Sequence, residues 1–128
     1  RGPVFAAFRL LLQRRQRCGV LRIALEDLAV DAGRVFTAAE AALSVESLAA
    51  RFAAKEALMK ALRVPQALPW HDIEIVTDDV GAPDYRLTGA AADLVGNDRA
   101  HLSLSHDTSV ATAFVVLERH HDPQGASC

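Results

Sequence analysis

The sequence predicts an α+β fold in which a mainly antiparallel sheet packs against one long helix. Helical patterns fill the first half of the chain and strand patterns the second half, an order typical of α+β proteins. Polar and apolar residues alternate at 71–77 and at 100–105, and a nearly continuous apolar run at 110–117 predicts a central strand. A chain of 128 residues that is 51% hydrophobic is long enough for one domain with one core.

The first 25 residues are basic and are the hardest part of the chain to assign. Apolar residues at helical spacing predict a basic helix over 4–17, whereas 20–25 fits either a strand or the start of a helix. No acidic residue precedes Glu26. The arginines of this stretch are Arg1, Arg9, Arg14, Arg15, Arg17 and Arg22. Because the net charge of the chain is only −2, a basic end suggests a local anionic partner, and a solvated, partly disordered terminus is the alternative.

Two helices are predicted in the next part of the chain. Thr37 and Glu40 form a capping-box pattern, which predicts a short helix over 38–44. Ser47 is the expected N-cap of a long helix over 48–62, a segment rich in residues of high helix propensity. The predicted apolar stripe of this helix consists of Leu48, Phe52, Met59 and Leu62.

A hairpin and a further short helix are predicted before the last two strands. Turn residues at 78–83 join the alternating strand at 71–77 to a returning strand at 85–88. Residues 89–95 predict an alanine-rich helix that a Gly-Asn-Asp sequence closes. Residues 119–128 are expected to form a tail.

Composition and charge argue against several functional classes. The near-neutral charge and the 5% aromatic content give no basic surface and no stacking platform for nucleic acid. The apolar run at 4–12 is short and interrupted by Arg9, so it is not expected to span a bilayer, and it lacks a secretory cleavage pattern. Two cysteines without metal-binding spacing, Cys18 and Cys128, favour a reducing compartment. We therefore expect a cytoplasmic protein with no nucleic-acid or membrane partner.

The long helix carries a group of charged residues that can be interpreted in two ways. Glu56 and Lys60 are four residues apart, so a surface ion pair is the simpler interpretation. Phe52 lies one turn earlier, which places Glu56 at the edge of the predicted buried stripe. A carboxylate there, flanked by Lys55 and Lys60, can hold Mg²⁺ while the lysines contact phosphates.

A second candidate site follows the strand at 100–105. His106 comes at the end of that strand, where loop side chains are accessible and rigidly held. The adjacent Asp107 can tune the histidine or act as a base itself. A purely structural role in a hairpin turn is the alternative for both residues.

Together these segments resemble the small, single-domain 4′-phosphopantetheinyl transferases of the holo-(acyl-carrier-protein) synthase type. Residues 51–60 are similar to the family signature (W/F)xxKExxxK, and 103–107 to a strand that ends in S-x-[ST]-H. Residues 34–40 resemble the stretch R-[VI]-[FL]-T-x-x-E. The strand at 72–75 and the G-x-P turn at 81–83 lie between the two main motifs, in the family's order.

The resemblance covers about residues 33–118 of a single domain spanning 1–128, with 1–25 diverged or non-native and 119–128 as the tail. It implies a phosphopantetheinyl transferase-like fold and a homotrimer with active sites between neighbouring subunits. The implied reaction moves 4′-phosphopantetheine from coenzyme A to a serine of apo-acyl carrier protein and leaves 3′,5′-ADP. It would depend on Mg²⁺, which neutralises the pyrophosphate. The basic N-terminus would engage the acidic carrier protein.

Roles follow from the resemblance residue by residue. Glu56 matches the metal-ligand glutamate, Lys60 the lysine at the phosphate and leaving group, and His106 the histidine near the nucleotide phosphates. Asp107 is a further catalytic candidate. The residues expected to contact coenzyme A are Arg51, Phe52, Lys55, Lys60, Gly81, Pro83, Ser105 and His106.

The sequence departs from the family pattern at two positions. Leu21 stands where the family's G-x-D strand has the aspartate that is the second metal ligand. The candidate acidic residues to substitute for it are Glu26, Asp27 and Asp31. Ala82 replaces a lysine common in the G-x-P turn. The alternative function is therefore an impaired relative that binds coenzyme A or carrier protein without efficient transfer.

Overall fold

The structure is a computed structural model that describes residues 16–24, 32–64, 68–107 and 109–120. Its strands are β1 (Gln16–Ala24), β2 (Ile73–Thr77), β3 (Pro83–Leu87), β4 (Arg99–His106) and β5 (Val110–Glu118). Its helices are α1 (Ala32–Val35), α2 (Ala38–Ala41), α3 (Val45–Leu62) and α4 (Gly89–Val95). The strands form a sheet ordered β1-β5-β4 and a separate β2-β3 hairpin, with antiparallel pairing throughout. The predicted α+β class is confirmed.

The N-terminal prediction can be compared with the structure only from residue 16 onward. Residues 4–15 of the predicted basic helix lie outside the described residues, and residues 16–17 belong to β1 rather than to a helix. The segment left open at 20–25 is a strand as far as Ala24. The predicted central strand is confirmed, because β5 lies between β1 and β4 and buries alternate residues against α3.

The helix boundaries differ partly from those predicted. The capping box of Thr37 and Glu40 is confirmed, although α2 ends at Ala41. The expected N-cap of the long helix is wrong, because Ser44 caps α3 by accepting a hydrogen bond from the Ser47 backbone N–H at 3.3 Å. Ser44 and Ser47 are equally good caps by residue type, so residue type alone does not distinguish them.

The predicted apolar stripe of α3 is only half correct. Met59 and Leu62 are buried, but Leu48 and Phe52 are only partly buried. Most of the buried residues of α3 are alanines, namely Ala49, Ala50, Ala53, Ala54, Ala57 and Ala61. These small side chains let β1 approach closely, and a Cβ added to Gly19 would lie 1.8 Å from the Ala57 carbonyl oxygen.

The hairpin lies next to β4 through its strand β3 and is anchored to α3. β2 starts at Ile73 rather than at residue 71, because Trp70–Asp72 forms a 3₁₀ turn. The Tyr85 hydroxyl donates to the Ala54 carbonyl at 2.7 Å, and burial raises the pKa of Tyr85 well above its ordinary range. The predicted helix over 89–95 is confirmed. None of the described helices is long and apolar enough to cross a membrane.

Candidate active site

One line of side chains on α3 remains accessible although most of the helix is buried. Phe52, Glu56 and Lys60 are spaced four residues apart, so they lie along one side of the helix. Phe52 and Glu56 are partly buried and Lys60 is exposed. We call these three residues the α3 row. They coincide with the residues that the sequence singled out for aromatic, metal and phosphate contacts.

The two charged members of the α3 row are available for a ligand. Ion pairs within the described ranges do not include Glu56 or Lys60, so the predicted surface pair between them does not form. The partly buried Glu56 carboxylate therefore remains a candidate metal ligand, and the exposed Lys60 ammonium group a candidate phosphate contact.

Phe52 is one member of a stacked aromatic pair. Its ring stacks on that of Trp70 with centroids 5.4 Å apart and an interplanar angle of 28°. Beside this pair is an open cleft of about 470 Å³ lined by Arg34, Leu68, Pro69, Trp70 and His71. Its cationic and aromatic lining suits an anionic ligand with a flat or apolar part.

Arg51 comes directly before Phe52 in the chain, and only part of its guanidinium group is hydrogen-bonded. Its Nη1 donates to the Ser47 carbonyl at 3.4 Å. Its buried Nε has no hydrogen-bond partner, the one such side-chain atom among the residues that the structure describes. A buried donor without a partner is costly, which is compatible with an absent anionic group.

Lys55 does not occupy a position from which it can contact coenzyme A. Its side chain is 0% exposed, and its Nζ donates to Glu40 Oε1 at 2.8 Å, to the Trp70 carbonyl at 3.2 Å and to the Ile73 carbonyl. A lysine has three N–H donors, and all three are used internally. Burial lowers the pKa of Lys55, although the Glu40 carboxylate opposes this shift. The expected phosphate contact is therefore corrected to a structural ion pair.

The structure places His106 and Ser105 on opposite sides of β4. His106 shares a side with Leu104, which packs towards α3, and Ser105 is on the far side. His106 pairs with Ala111, which contacts Ala49 and Ala50 in the first turns of α3. Both His106 and Ser105 are exposed.

His106 and Lys60 are consequently far apart within one chain. His106 lies near the first turns of α3, whereas Lys60 is in its last turn. At a rise of 1.5 Å per residue, Ala49 and Lys60 are separated by about 16 Å along the helix axis. One chain can bring these groups together only through a long ligand.

Asp107 organises the turn between β4 and β5. Its Oδ1 accepts from the backbone N–H of Ser109 at 2.7 Å, from that of Val110 at 2.9 Å and from the Ser109 hydroxyl at 3.1 Å. These hydrogen bonds lower the pKa of Asp107, and the bond from the Ser109 backbone N–H has the largest effect. A carboxylate of lowered pKa is a weak base, so the geometry favours the structural alternative for this residue.

The G-x-P turn is stabilised by its own residues. Gly81 has a φ of +83°, in the left-handed region that glycine tolerates. Asp78 Oδ1 accepts from the backbone N–H groups of Val80 and Ala82, and Pro83 begins β3. Within the described part of the chain, no hydrogen bond links this turn to the α3 row. The coenzyme A contacts expected from Gly81 and Pro83 therefore remain predictions.

The donor set around Glu56 offers one carboxylate for a metal ion. No group of three or more His, Cys, Asp or Glu side chains in the described segments could hold a metal. Position 21 is leucine and pairs with Ala113 in the sheet. The other acidic candidates, Glu26, Asp27 and Asp31, lie outside the described residues. Mg²⁺ often takes only one or two protein carboxylates and completes its shell with water and substrate phosphates, so Glu56 alone is compatible with it.

Sequence reasoning missed Trp70, Arg34, His71 and the second role of Glu40. Trp70 is the only tryptophan of the chain, and its position just before an alternating strand was a usable signal. Glu40 was recognised as a capping residue, but its contact with Lys55 across 15 positions has no local sequence signature.

Comparison with known proteins gives consistent matches. A family model described as the 4′-phosphopantetheinyl transferase superfamily matches residues 23–115. The holo-[acyl-carrier-protein] synthase of Clavibacter michiganensis subsp. michiganensis is 52% identical over 88 residues, which are 66% of this chain and 74% of that protein.

Solved structures superpose on most of the chain. The acyl carrier protein synthase of Mycobacterium tuberculosis gives a TM-score of 0.68 at 38% identity, covering 80% of this chain and 96% of that one. A holo-(acyl-carrier-protein) synthase from Bacillus anthracis in complex with CoA (3′,5′-ADP) gives a TM-score of 0.65 at 32% identity, covering 81% of this chain and 96% of that one. The superpositions confirm the predicted fold.

Proposed function

Because the chain belongs to the 4′-phosphopantetheinyl transferase superfamily, we propose that it is a holo-(acyl-carrier-protein) synthase. It transfers 4′-phosphopantetheine from coenzyme A to a serine of apo-acyl carrier protein and releases 3′,5′-ADP. The observation that carries this proposal is the α3 row, which keeps a carboxylate and an ammonium group accessible on a mostly buried helix. Its relatives of about 52% identity are holo-(acyl-carrier-protein) synthases.

The side chains around the α3 row suit the charges of this reaction. A bond forms between the serine oxygen and the β-phosphorus of coenzyme A, and the bond from that phosphorus to the oxygen of 3′,5′-ADP breaks. Lys60 stabilises the negative charge that develops on the phosphate and the leaving group. Phe52 and Arg51 contact the nucleotide side, and His106 contacts its phosphates.

Glu56 is the proposed protein ligand of Mg²⁺. When bound, the metal neutralises the pyrophosphate of coenzyme A. Glu56 holds its carboxylate on a rigid helix, one turn from the stacked Phe52 and one turn from Lys60.

The acidic carrier protein is proposed to bind the basic N-terminal stretch. Arg14 and Arg15 are better candidates for this contact than Arg17, because the Arg17 Nη1 donates to the Leu62 carbonyl at the end of α3. A cytoplasmic homotrimer with active sites between chains is proposed as well, and the distance between His106 and Lys60 within one chain supports such shared sites.

Mass spectrometry of the carrier protein tests the proposed function. The chain is incubated with coenzyme A, Mg²⁺ and an apo-acyl carrier protein, and we expect the carrier to gain one phosphopantetheine group. Glu56→Gln should lose the Mg²⁺-dependent transfer, since it removes the carboxylate charge. Glu46→Gln, in the first turn of the same helix, is the matched control and should retain transfer. An unmodified carrier would refute the function, and a fully active Glu56→Gln would refute the site.

A further inference from the structure

A buried polar cluster links α2, α3 and β2. Its centre is the ion pair of Glu40 and Lys55, whose side chains are 2% and 0% exposed. We call this pair and the backbone groups that it contacts the Glu40–Lys55 hub. The Lys55 ammonium group also lies over the buried Phe36 ring, 5.7 Å from its centroid.

Both oxygens of Glu40 are used in the hub. Oε1 accepts from Lys55 and from the Thr37 backbone N–H at 3.0 Å, and Oε2 accepts from the Ile75 backbone N–H at 2.9 Å. One carboxylate therefore joins α2, α3 and β2. Such a connection requires ionised or polar groups of the right length, which an apolar pair of similar volume does not supply.

Lys55 connects the hub to the aromatic wall of the site. Its Nζ donates to the backbone carbonyls of Trp70 and Ile73, which hold the 3₁₀ turn that carries the Trp70 ring. That ring stacks on Phe52, and Phe52 lies one turn before Glu56 on α3. A chain of contacts thus runs from Lys55 through Trp70 to the α3 row.

We propose that Glu40 and Lys55 are positioning residues that hold Trp70 against Phe52 and thereby set the geometry of the α3 row. They act through the backbone of Trp70 and Ile73 and through α2, and they touch neither the co-substrate nor the metal. The effect on turnover rests on the proposed function, whereas the effect on Trp70 does not. The motif segments at 34–40, 51–60 and 72–75 thereby meet in the Glu40–Lys55 hub.

The test uses a variant that removes the pair but avoids an isolated buried charge. Glu40→Gln/Lys55→Met keeps the side-chain volumes and leaves no unpaired ion, so it should fold better than Lys55→Met alone. We expect its kcat to fall about tenfold or more, the size of effect seen when a supporting shell is lost, with a smaller change in KM for coenzyme A. Trp70, the only tryptophan, should emit at longer wavelength as its ring leaves Phe52.

A matched control removes the exposed partner of an ion pair in the hairpin, Arg86, which in the described residues forms no ion pair or hydrogen bond with Glu40 or Lys55. Arg86→Met breaks the pair with Glu74, in which the N–O distance is 3.2 Å and Arg86 is 69% exposed. Its kcat and its tryptophan emission should equal those of the unaltered chain.

The outcomes separate a positioning role from a merely structural one. A folded double variant with a lower melting temperature but unchanged kcat and emission would overturn the proposal. Absence of transfer by the unaltered chain would sink the proposed function instead, and the emission comparison would still decide whether the hub positions Trp70. An unchanged emission in that case would also overturn the proposal.

Discussion

At the scale of single residues, position 21 is where the resemblance predicts a second carboxylate ligand for the proposed metal site, and this chain has leucine there. It pairs with Ala113 in the sheet, two residues after the close contact between Gly19 and α3. Leu21→Asp is expected to tighten Mg²⁺ binding by about tenfold or more, because a second carboxylate adds charge and a ligand. It should also lower stability without metal, since a charged residue would replace an apolar one within the sheet. Calorimetric titration with Mg²⁺ and melting with and without Mg²⁺ measure both effects.

Leu21→Asn separates charge from shape in this experiment. It has nearly the same shape as aspartate but no charge, so it should destabilise the fold without tightening Mg²⁺ binding. Equal Mg²⁺ affinity for both variants and the unaltered chain would mean that position 21 does not face the metal.

Asp107 should make the β4–β5 turn sensitive to acid. Hydrogen bonds from Ser109 and Val110 lower its pKa below the ordinary value of 3.8, so the folded state favours the ionised form. Its contribution to stability is therefore complete above about pH 4 and is lost as the pH falls through the lowered pKa. Melting curves from pH 7 to pH 2 should show a larger acid-induced decrease for the unaltered chain than for Asp107→Asn. Parallel curves would contradict the assignment.

Side-chain chemistry was partly predictable from the sequence. The spacing of Phe52, Glu56 and Lys60 indicated a shared side of one helix, and the structure confirms it. The role of Lys55 was not predictable, because its partners Glu40, Trp70 and Ile73 lie 15 or more positions away. Because Lys55 is next to the candidate metal ligand Glu56, the sequence predicts a phosphate contact, and only the burial of the Lys55 side chain in the structure argues against it.

At the scale of secondary-structure elements, the contact between β1 and α3 depends on the absence of a side chain at Gly19. A Cβ there would lie 1.8 Å from the Ala57 carbonyl oxygen, a helix backbone atom that cannot move aside. Gly19→Ala is expected to destabilise the fold by about 3 kcal/mol or more. The melting temperature should fall by roughly 10 °C, which calorimetry or circular dichroism can measure.

A second substitution identifies the atom responsible. Ala57→Gly removes only a methyl group and leaves the carbonyl in place, so Gly19→Ala/Ala57→Gly should be no more stable than Gly19→Ala. Recovery of stability in the double variant would show that the clash involves the Ala57 side chain.

Element types were easier to predict from the sequence than their boundaries and faces. Alternation indicated the strands, and helix propensity indicated α3. The predicted buried face of α3 was only half correct, because hydrophobic periodicity gives Leu and Phe more weight than alanine. The core instead selects small residues where a sheet backbone approaches, a requirement set by Gly19 on another strand.

At the scale of the whole molecule, one helix joins the two sheets and one ion pair joins the motifs. α3 contacts both β1 and β5 of the larger sheet, and the Glu40–Lys55 hub ties it to the hairpin. The order of the motifs along the chain could be read from the sequence. Their convergence on the Glu40–Lys55 hub could not be read from the sequence, since it depends on contacts between residues that are 15 to 35 positions apart. This arrangement supports the proposal that the described residues belong to one domain.

The proposed trimer assigns a function to the side of the larger sheet that faces away from α3. Val20 lies on this side and is 39% exposed, and Val116 lies on the same side and is partly buried. Val20→Arg adds a long charged group to this apolar surface. If neighbouring chains pack there, the substitution should convert trimers to monomers, because an unpaired charge at an apolar interface is costly.

Light scattering during size-exclusion chromatography measures the number of chains, and the transfer assay is run on the same fractions. Since His106 lies near Ala49 and Ala49 is about 16 Å from Lys60 along α3, sites shared between chains predict that transfer activity disappears together with the trimer. Val80→Arg is the control, because Val80 is 87% exposed in the hairpin turn and should tolerate the charge. A monomeric Val20→Arg with full activity would show that one chain holds a complete site, and a trimeric one would place the interface elsewhere.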